Sequence, residues 1–253
     1  MQNLEFLRKK PIAHRGLWSK EEGIPENSLP AFERAITEKY PIELDIHLLE
    51  DGKVVVFHDD NLKRMTGLDK KIKDCTYSEI QKLKLVDTDY GIPLLSEVLQ
   101  LVEGRVPLLI ELKHDRKVGE TENALMELMK DYTGKYAVQN FSPRSLIWFR
   151  NHASEVPRGQ LASHFSKDRM PKVEKLILKN VYLNFWTKPD FIAYAIHDFP
   201  NKNVEQFRKT GKLVLGWTVR NEQDLEKAKN YCDNVIGENF ENLDLSLLDC
   251  DKK

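Results

Sequence analysis

Long apolar runs are missing from this 253-residue chain, and so is any excess of one sign of charge. The longest apolar stretches fall far short of the roughly 20 residues that a spanning helix requires. With 39 basic and 40 acidic residues the net charge is −1, which excludes a whole-molecule nucleic-acid or membrane-surface binder as the first reading. Cysteine is scarce too. Cys75, Cys232 and Cys250 form an odd, widely spaced set with no CxxC pair and no disulfide framework, which fits a reducing compartment. The opening MQNLEFLRKKPIAHRG carries no apolar h-region of a secretory signal. The expectation is a soluble, cytoplasmic protein. Low-complexity tracts, short repeats and Pro/Gly/Ser-rich linkers are also lacking, so residues 1–253 read as one domain.

What is there is a composition able to bury a sizeable core, 41% hydrophobic and 31% charged. Short β-like runs alternate with longer helix-like segments. The strand candidates are 11–16, 42–48, 106–113, 135–141, 158–163, 190–197, 212–219 and 234–240. Several, such as VPLLIEL and KLVLGW, are continuous apolar runs of the kind buried on both faces. Between them lie helix candidates at 28–38, 96–103, 120–132, 142–152, 171–183, 203–209 and 222–231. Eight strands in β-then-α order predict an α/β fold, a (β/α)₈ TIM-type barrel, for which about 250 residues is the usual size.

One break in the alternation stands out. Glu50-Asp51-Gly52 separates the second strand from Lys53-Val54-Val55-Val56-Phe57-His58, and Asp-Gly between β-rich runs is a hairpin signal. The following segment, about 59–94, has no βα unit apart from one short helix at TYSEIQKL, and reads as an insertion over the barrel mouth.

Charged residues inside apolar strands carry the chemistry. Side chains two apart on a strand share a face, so Glu43 points with Asp45, and Glu111 with Lys113. Two carboxylates 4 Å apart repel by about 4 kcal/mol at an effective dielectric near 20, so a cluster of three demands a compensating charge. All-oxygen ligation favours Mg²⁺ or Ca²⁺. The competing reading pairs each acid separately with a lysine or arginine at a strand end. His14 ends the first strand on the catalytic side of such a barrel. A two-residue turn at Asp51-Gly52 sets His58 opposite Asp45, within reach of the same site. Two histidines beside a metal make an acid/base pair; either alone reads first as a hydrogen-bonded structural histidine.

The runs His14-Arg15-Gly16, Glu26-Asn27-Ser28, Glu43-Leu44-Asp45, Gly52 through Phe57-His58-Asp59, Glu111-Leu112-Lys113 and Trp217-Thr218-Val219 resemble the glycerophosphodiester phosphodiesterases in order and spacing. The resemblance covers roughly residues 11–240. It implies a TIM-like barrel with a small insertion after its second strand. It also implies hydrolysis of glycerophosphodiesters to an alcohol and glycerol 3-phosphate with one divalent cation. On the matching positions it implies Glu43, Asp45 and Glu111 as metal ligands and His14 and His58 as the acid/base pair. Arg15 and Lys113 are then phosphate-contacting cations, and Glu26 and Asn27 shape the mouth and reach the substrate or metal shell. The implied partner is a small glycerophosphodiester, with no nucleic acid and no stable membrane insertion. In related phospholipase C-like enzymes a substrate hydroxyl attacks first and gives a cyclic phosphate.

The chain departs from the family pattern in places. The fourth-strand end reads Gln139-Asn140-Phe141 where the family commonly has Ser-Phe. The last strand ends Gly237-Glu238-Asn239-Phe240 and lacks the usual Asp, for which Glu238 is the candidate substitute. His47 shares the face of Glu43 and Asp45 and is expected to have a supporting or loop role. Phe141 and Trp217 sit at strand ends, where they line the substrate pocket or simply pack. His114, His152, His164 and His197 belong to no motif and are read as surface or structural. The apolar run 176–186 is read as an ordinary packed helix in preference to a lipid contact.

Three rivals accompany the glycerophosphodiesterase reading. A lysophospholipase D would use the same residues beside a long apolar groove. A catalytically silent phosphodiester-binding barrel has little reason to keep both histidines and all three acids. An unrelated metal-dependent lyase or aldolase fits the fold alone and leaves the ordered histidine motifs unexplained.

Overall fold

The structure is a computed structural model in which residues 4–113, 116–166 and 169–245 are described. It groups into two compact units, Ala13–Tyr136 and a second made of Met1–Ile12 with Ala137–Lys253.

The first unit is organised by β1 (Ile12–His14), β2 (Ile42–Leu48), β3 (Val54–Val56) and β4 (Leu108–Leu112). β2 lies between β1 and β4, parallel to both, with His14 beside Glu43 and Asp45 beside Glu111. All seven β2 residues are buried. Its polar face therefore looks into the protein, which is why the strand reads IELDIHL without a solvent-facing side. The helix Leu29–Thr37 follows a loop whose last residue, Ser28, caps it by accepting the Ala31 N–H, with Pro30 in the first turn.

β3 runs antiparallel to β2, as the Asp-Gly signal predicts, but the register differs from the one counted on a two-residue turn. Ile46 pairs with Val56, His47 with Val55 and Leu48 with Val54. Leu49 then donates its N–H to the Lys53 carbonyl, so the turn holds three residues, Glu50, Asp51 and a left-handed Gly52 (φ +79°). Phe57 takes the place opposite Asp45 and donates its N–H to the Asp45 carbonyl. His58 lies beyond the end of β3.

The insertion has short helices at Lys63–Thr66, Ile72–Asp74 and Tyr77–Ile80, the last being the TYSEIQKL helix. Leu49, Val55, Phe57, Leu62, Met65, Ile72, Cys75, Ile80, Leu85 and Ile92 form its own small core. An apolar nucleus of this size lets a segment of short helices hold a defined shape.

The second unit contains β5 (Tyr136–Asn140), β6 (Arg158–Ala162), β7 (Phe191–Ala195), β8 (Leu213–Val219) and β9 (Asn234–Gly237). Each is parallel to the next. The helices Pro143–His152, Lys172–Lys179, Lys202–Lys209 and Glu222–Tyr231 connect them. Ile192, Tyr194, Val204, Val214, Leu225 and Val235 belong to its core. Asn234 ties the segment before β1 in place by donating to the Leu7 and Lys10 carbonyls at 2.7 Å.

The hydrogen-bonded strand order is β1-β9-β8-β7-β6-β5-β4-β2-β3, and β1 also pairs with β2. Eight parallel strands thus close on themselves with β3 attached outside the ring, the order of the expected (β/α)₈ barrel. The helix expected over 171–183 is shorter, Lys172–Lys179, and buries none of its side chains fully. This corrects the reading of 176–186 as a packed helix. Among the described residues no helix is long and apolar enough to cross a membrane.

Candidate active site

Sharp backbone turns place the first cationic group. Arg15 (φ +60°) and Gly16 (φ +82°) both adopt the left-handed conformation directly after β1. A Cβ on Gly16 would lie 2.9 Å from Ala31 atoms, so only glycine lets this turn press on the start of helix Leu29–Thr37. The turn aims the Arg15 peptide N–H at Glu43 Oε2, at 3.1 Å. The Arg15 guanidinium donates to Glu26 Oε1 at 2.7 Å and lies 3.5 Å from Asp45 Oδ2. Asn27, buried and left-handed, donates its peptide N–H to the Arg15 carbonyl and its Nδ2 to Asp45 Oδ2, the latter at 2.8 Å.

Three carboxylates meet here. Oxygen atoms of Glu43, Asp45 and Glu111 all lie within 4.8 Å of one another, and all three residues are buried. Lys113 inserts its ammonium among them, 2.7 Å from Asp45 Oδ1 and 2.5 Å from Glu111 Oε1. The electrostatics follow from crowding. Burial, then the charges of Asp45 and Glu111, push the Glu43 carboxyl well above the usual range. Burial opposes ionisation of Asp45 as well, but Lys113, His58, Arg15 and His14 hold it well below that range. Burial likewise opposes the charge on Lys113, which Asp45 and Glu111 more than offset. The set is an all-oxygen donor group carrying more negative charge than it can share. Asp45 Oδ1 has no well-directed hydrogen bond despite the nearby ammonium. These residues fit a hard divalent cation.

The histidines flank the acids. His14 is nearly buried, with Nε2 4.0 Å from Glu43 Oε2. His58 is held differently from the hairpin argument. Its Nδ1 contacts Asp59 Oδ1 at 2.7 Å, and Arg64 grips Asp59 through Nε (2.6 Å) and Nη2 (3.0 Å) while reaching Glu26 Oε1 at 2.6 Å. Burial opposes ionisation of Asp59, but hydrogen bonds from His58 and Arg64 lower its carboxyl. A carboxylate on Nδ1 selects the tautomer that keeps the proton there and frees Nε2. His47 is fully buried, with Nε2 3.4 Å from the His58 carbonyl.

Sequence reasoning assigned no role to Asp59 or Arg64. Asp59 carried a weak signal, its adjacency to His58. Arg64 carried none, since its partner Glu26 is 38 residues away. Beside the Glu26–Arg64 pair opens a cavity of about 410 Å³ walled by Trp18, Ile24, Pro25, Met65 and Val86. The Trp18 indole Nε1 is buried there without a hydrogen-bond partner among the described residues.

In the second unit Phe141 packs edge-on to Trp217 and to Phe165, at centroid distances of 5.7 and 5.8 Å. The Trp217 Nε1 is buried without a partner among the described residues. Asn140 is buried, with its Oδ1 accepting from the Ser142 N–H at 2.6 Å. Glu238 is engaged by Arg220 through both carboxylate oxygens, at 2.8 and 3.2 Å. His152 stacks on Trp148, His164 pairs with Asp198 and His197 with Asp224. His114 lies outside the described residues.

Comparison with known proteins bears on the family and the fold. Residues 14–239 match the glycerophosphoryl diester phosphodiesterase family. A glycerophosphodiester phosphodiesterase of Caldanaerobacter subterraneus subsp. tengcongensis is 31% identical over 246 residues, 92% of this chain and 95% of that protein. A rat lysophospholipase D is 35% identical over 134 residues, 48% of this chain and 41% of that protein. The fold matches a phosphodiesterase of Oleispira antarctica, solved in complex with its product sn-glycerol-3-phosphate. The TM-score is 0.76 at 24% identity, over 90% of this chain and 92% of that one.

Proposed function

The chain belongs to the glycerophosphoryl diester phosphodiesterase family, and from that premise we propose that it hydrolyses glycerophosphodiesters to an alcohol and sn-glycerol 3-phosphate. The observation that carries the reading is the convergence of Glu43, Asp45 and Glu111 with Lys113, Arg15, His14 and His58. Glu43, Asp45 and Glu111 are the proposed ligands of one divalent cation, Mg²⁺ or Ca²⁺. Bound there, it supplies Lewis-acid charge to a phosphoryl oxygen. With all three acids ionised, Arg15 and Lys113 leave the cluster at about −1, and a divalent ion brings it to about +1, matched to a phosphodiester monoanion.

The chain's own residues supply the rest. Arg15 and Lys113 orient the phosphate by charge-assisted hydrogen bonds. One histidine removes the proton of the nucleophile, a water or a glycerol hydroxyl, and the other donates a proton to the departing alkoxide; where the glycerol hydroxyl attacks, water then opens the cyclic phosphate to glycerol 3-phosphate. Asp59 holds His58 in the tautomer that exposes Nε2, and Arg64 holds Asp59. Glu26 and Asn27 set the loop that carries Arg15, and Phe141 and Trp217 offer an apolar surface with one free indole N–H. The proposed organisation is one catalytic domain with its insertion, acting in the cytoplasm.

The apolar cavity behind Glu26 and Arg64 favours a second reading within the same chemistry, hydrolysis of lysophospholipids. One assay separates them. Purified protein is given glycerophosphocholine, glycerophosphoethanolamine, glycerophosphoglycerol, glycerophosphoinositol or lysophosphatidylcholine, with Mg²⁺, Ca²⁺ or EDTA. Release of glycerol 3-phosphate from the water-soluble diesters, abolished by EDTA, is expected. Turnover indifferent to EDTA contradicts the cation site, and turnover of lysophosphatidylcholine alone favours the second reading.

A further inference from the structure

The connection leaving the carboxyl end of β6 is unlike the rest of the surface. Nine large hydrophobic residues are strongly exposed among the described residues, and five of them, Val173, Leu176, Tyr182, Phe185 and Trp186, fall within fourteen consecutive positions. Val173 and Leu176 lie three apart on helix Lys172–Lys179 and therefore share a face. Phe185 and Trp186 lie on the short helix Asn184–Thr187, with ring centroids 4.8 Å apart and relative exposures of 64% and 57%. A soluble enzyme gains nothing from holding two adjacent aromatic rings in water, and such patches mark interaction sites. The backbone that carries them is tied down, because Arg150 donates a hydrogen bond to the Trp186 carbonyl.

The charge of this segment points to its partner. Between 169 and 188 stand Arg169, Lys172, Lys175, Lys179 and Lys188 against the single acid Glu174, a local excess of four positive charges on a chain whose net charge is −1. None of these five cations has a carboxylate partner within 4.0 Å among the described residues. Lysine is depleted from the cores of protein–protein interfaces. Lysines alternating with exposed Leu, Val, Phe, Tyr and Trp are instead the composition of helices that lie in the headgroup region of a bilayer, where the ammonium groups reach anionic phosphates and the rings sit at the acyl boundary.

We propose that residues 169–188 form a peripheral docking surface for a membrane bearing anionic headgroups. The aromatic pair Phe185–Trp186 and the exposed Val173 and Leu176 enter the interface, and the lysines provide the electrostatic attraction. None of these residues belongs to the proposed catalytic site. Docking is reversible, since one short amphipathic element does not anchor a protein permanently.

Co-sedimentation of the full chain with vesicles tests this. Phosphatidylcholine vesicles with about one-third phosphatidylglycerol are compared with pure phosphatidylcholine, at low salt and at about 1 M, where the Debye length shrinks from about 10 Å to about 3 Å. Binding to the anionic vesicles alone, lost at high salt, is expected, with a blue shift of tryptophan emission that disappears in Trp186→Phe. The double variants F185S/W186S and K172E/K175E are each expected to bind about tenfold more weakly while hydrolysing a soluble glycerophosphodiester at the unaltered rate. Failure of the unaltered protein to bind anionic vesicles at low salt overturns the proposal, as does binding by both variants as tight as that of the unaltered protein. Concentration-dependent self-association abolished by F185S/W186S, without vesicle binding, assigns the face to a second copy and overturns it equally.

Discussion

Lys113 is the most informative single position, because it is a built-in cation among carboxylates that also fit a metal. At 4.8 Å, the outer separation within the cluster, each pair of ionised carboxylates repels by about 3.5 kcal/mol at an effective dielectric near 20. Lys113, 2.7 Å from Asp45 and 2.5 Å from Glu111, offsets most of that repulsion. Lys113→Met keeps an unbranched chain one atom shorter and removes the charge. Breaking a buried ion pair by deleting one partner costs about 3–5 kcal/mol, or a fall in Tm of roughly 6–20 °C in EDTA for a chain of this size. A bound divalent ion stabilises the native state by mass action. It has more unneutralised charge to act on in the variant, so its stabilisation is larger there than in the unaltered protein. The assay is a pair of thermal melts for each protein, one with EDTA and one with saturating Ca²⁺ or Mg²⁺. A melting temperature within about 2 °C of the unaltered protein in EDTA refutes the reasoning, since it is below the smallest shift expected. So does a cation-induced gain no larger in Lys113→Met, because the acids would then not be sharing one site.

Turnover and alkaline titration give further tests. His14→Ala and His58→Ala are each expected to lower kcat by about 10²–10⁴-fold with an unchanged circular dichroism spectrum, and near-normal turnover in either removes that histidine from the acid/base pair. Tyr132 and Tyr194 both have phenols pushed up to about 12, mainly by burial. Their folded pKa values stand above the unfolded value near 10, so the stability they contribute is fully present below about pH 10 and lost as the pH rises through about 12. Ultraviolet difference titration is expected to show a late phase that shrinks in Tyr194→Phe, and an unchanged late phase contradicts the burial argument.

The parts of the site that rest on strand periodicity are legible in the sequence. Glu43, Asp45 and His47 share a face because β-strands repeat every two residues, and Asp45 meets Glu111 because the strands carrying them are parallel neighbours. Burial was not legible in the same way. A run such as KVEKLILK has the same helical period whether its apolar face meets a core or solvent, and only the packing distinguishes them. Loop length was also hidden. Asp-Gly announces a hairpin without stating whether Glu50 belongs to the strand or to the turn, and that one residue decides the register.

The three-residue turn puts Phe57, and not His58, opposite Asp45. A slip of one residue reverses the face of every later side chain on a regular strand, yet His58 still acts electrostatically on Asp45. The resolution is that β3 ends at Val56, so strand geometry no longer governs the direction of His58. Other groups do: Asp59 on its Nδ1, Arg64 on Asp59, and Glu26 bridging Arg64 to Arg15. The insertion therefore supplies Arg64 as a structural clamp between the loop that follows β1 and the loop that carries His58. Its small independent core around Met65 and Leu62 is what fixes that arginine in place. Substituting Arg64 should consequently loosen both loops at once, whereas substituting a hairpin residue such as Lys53 should leave His58 where it is.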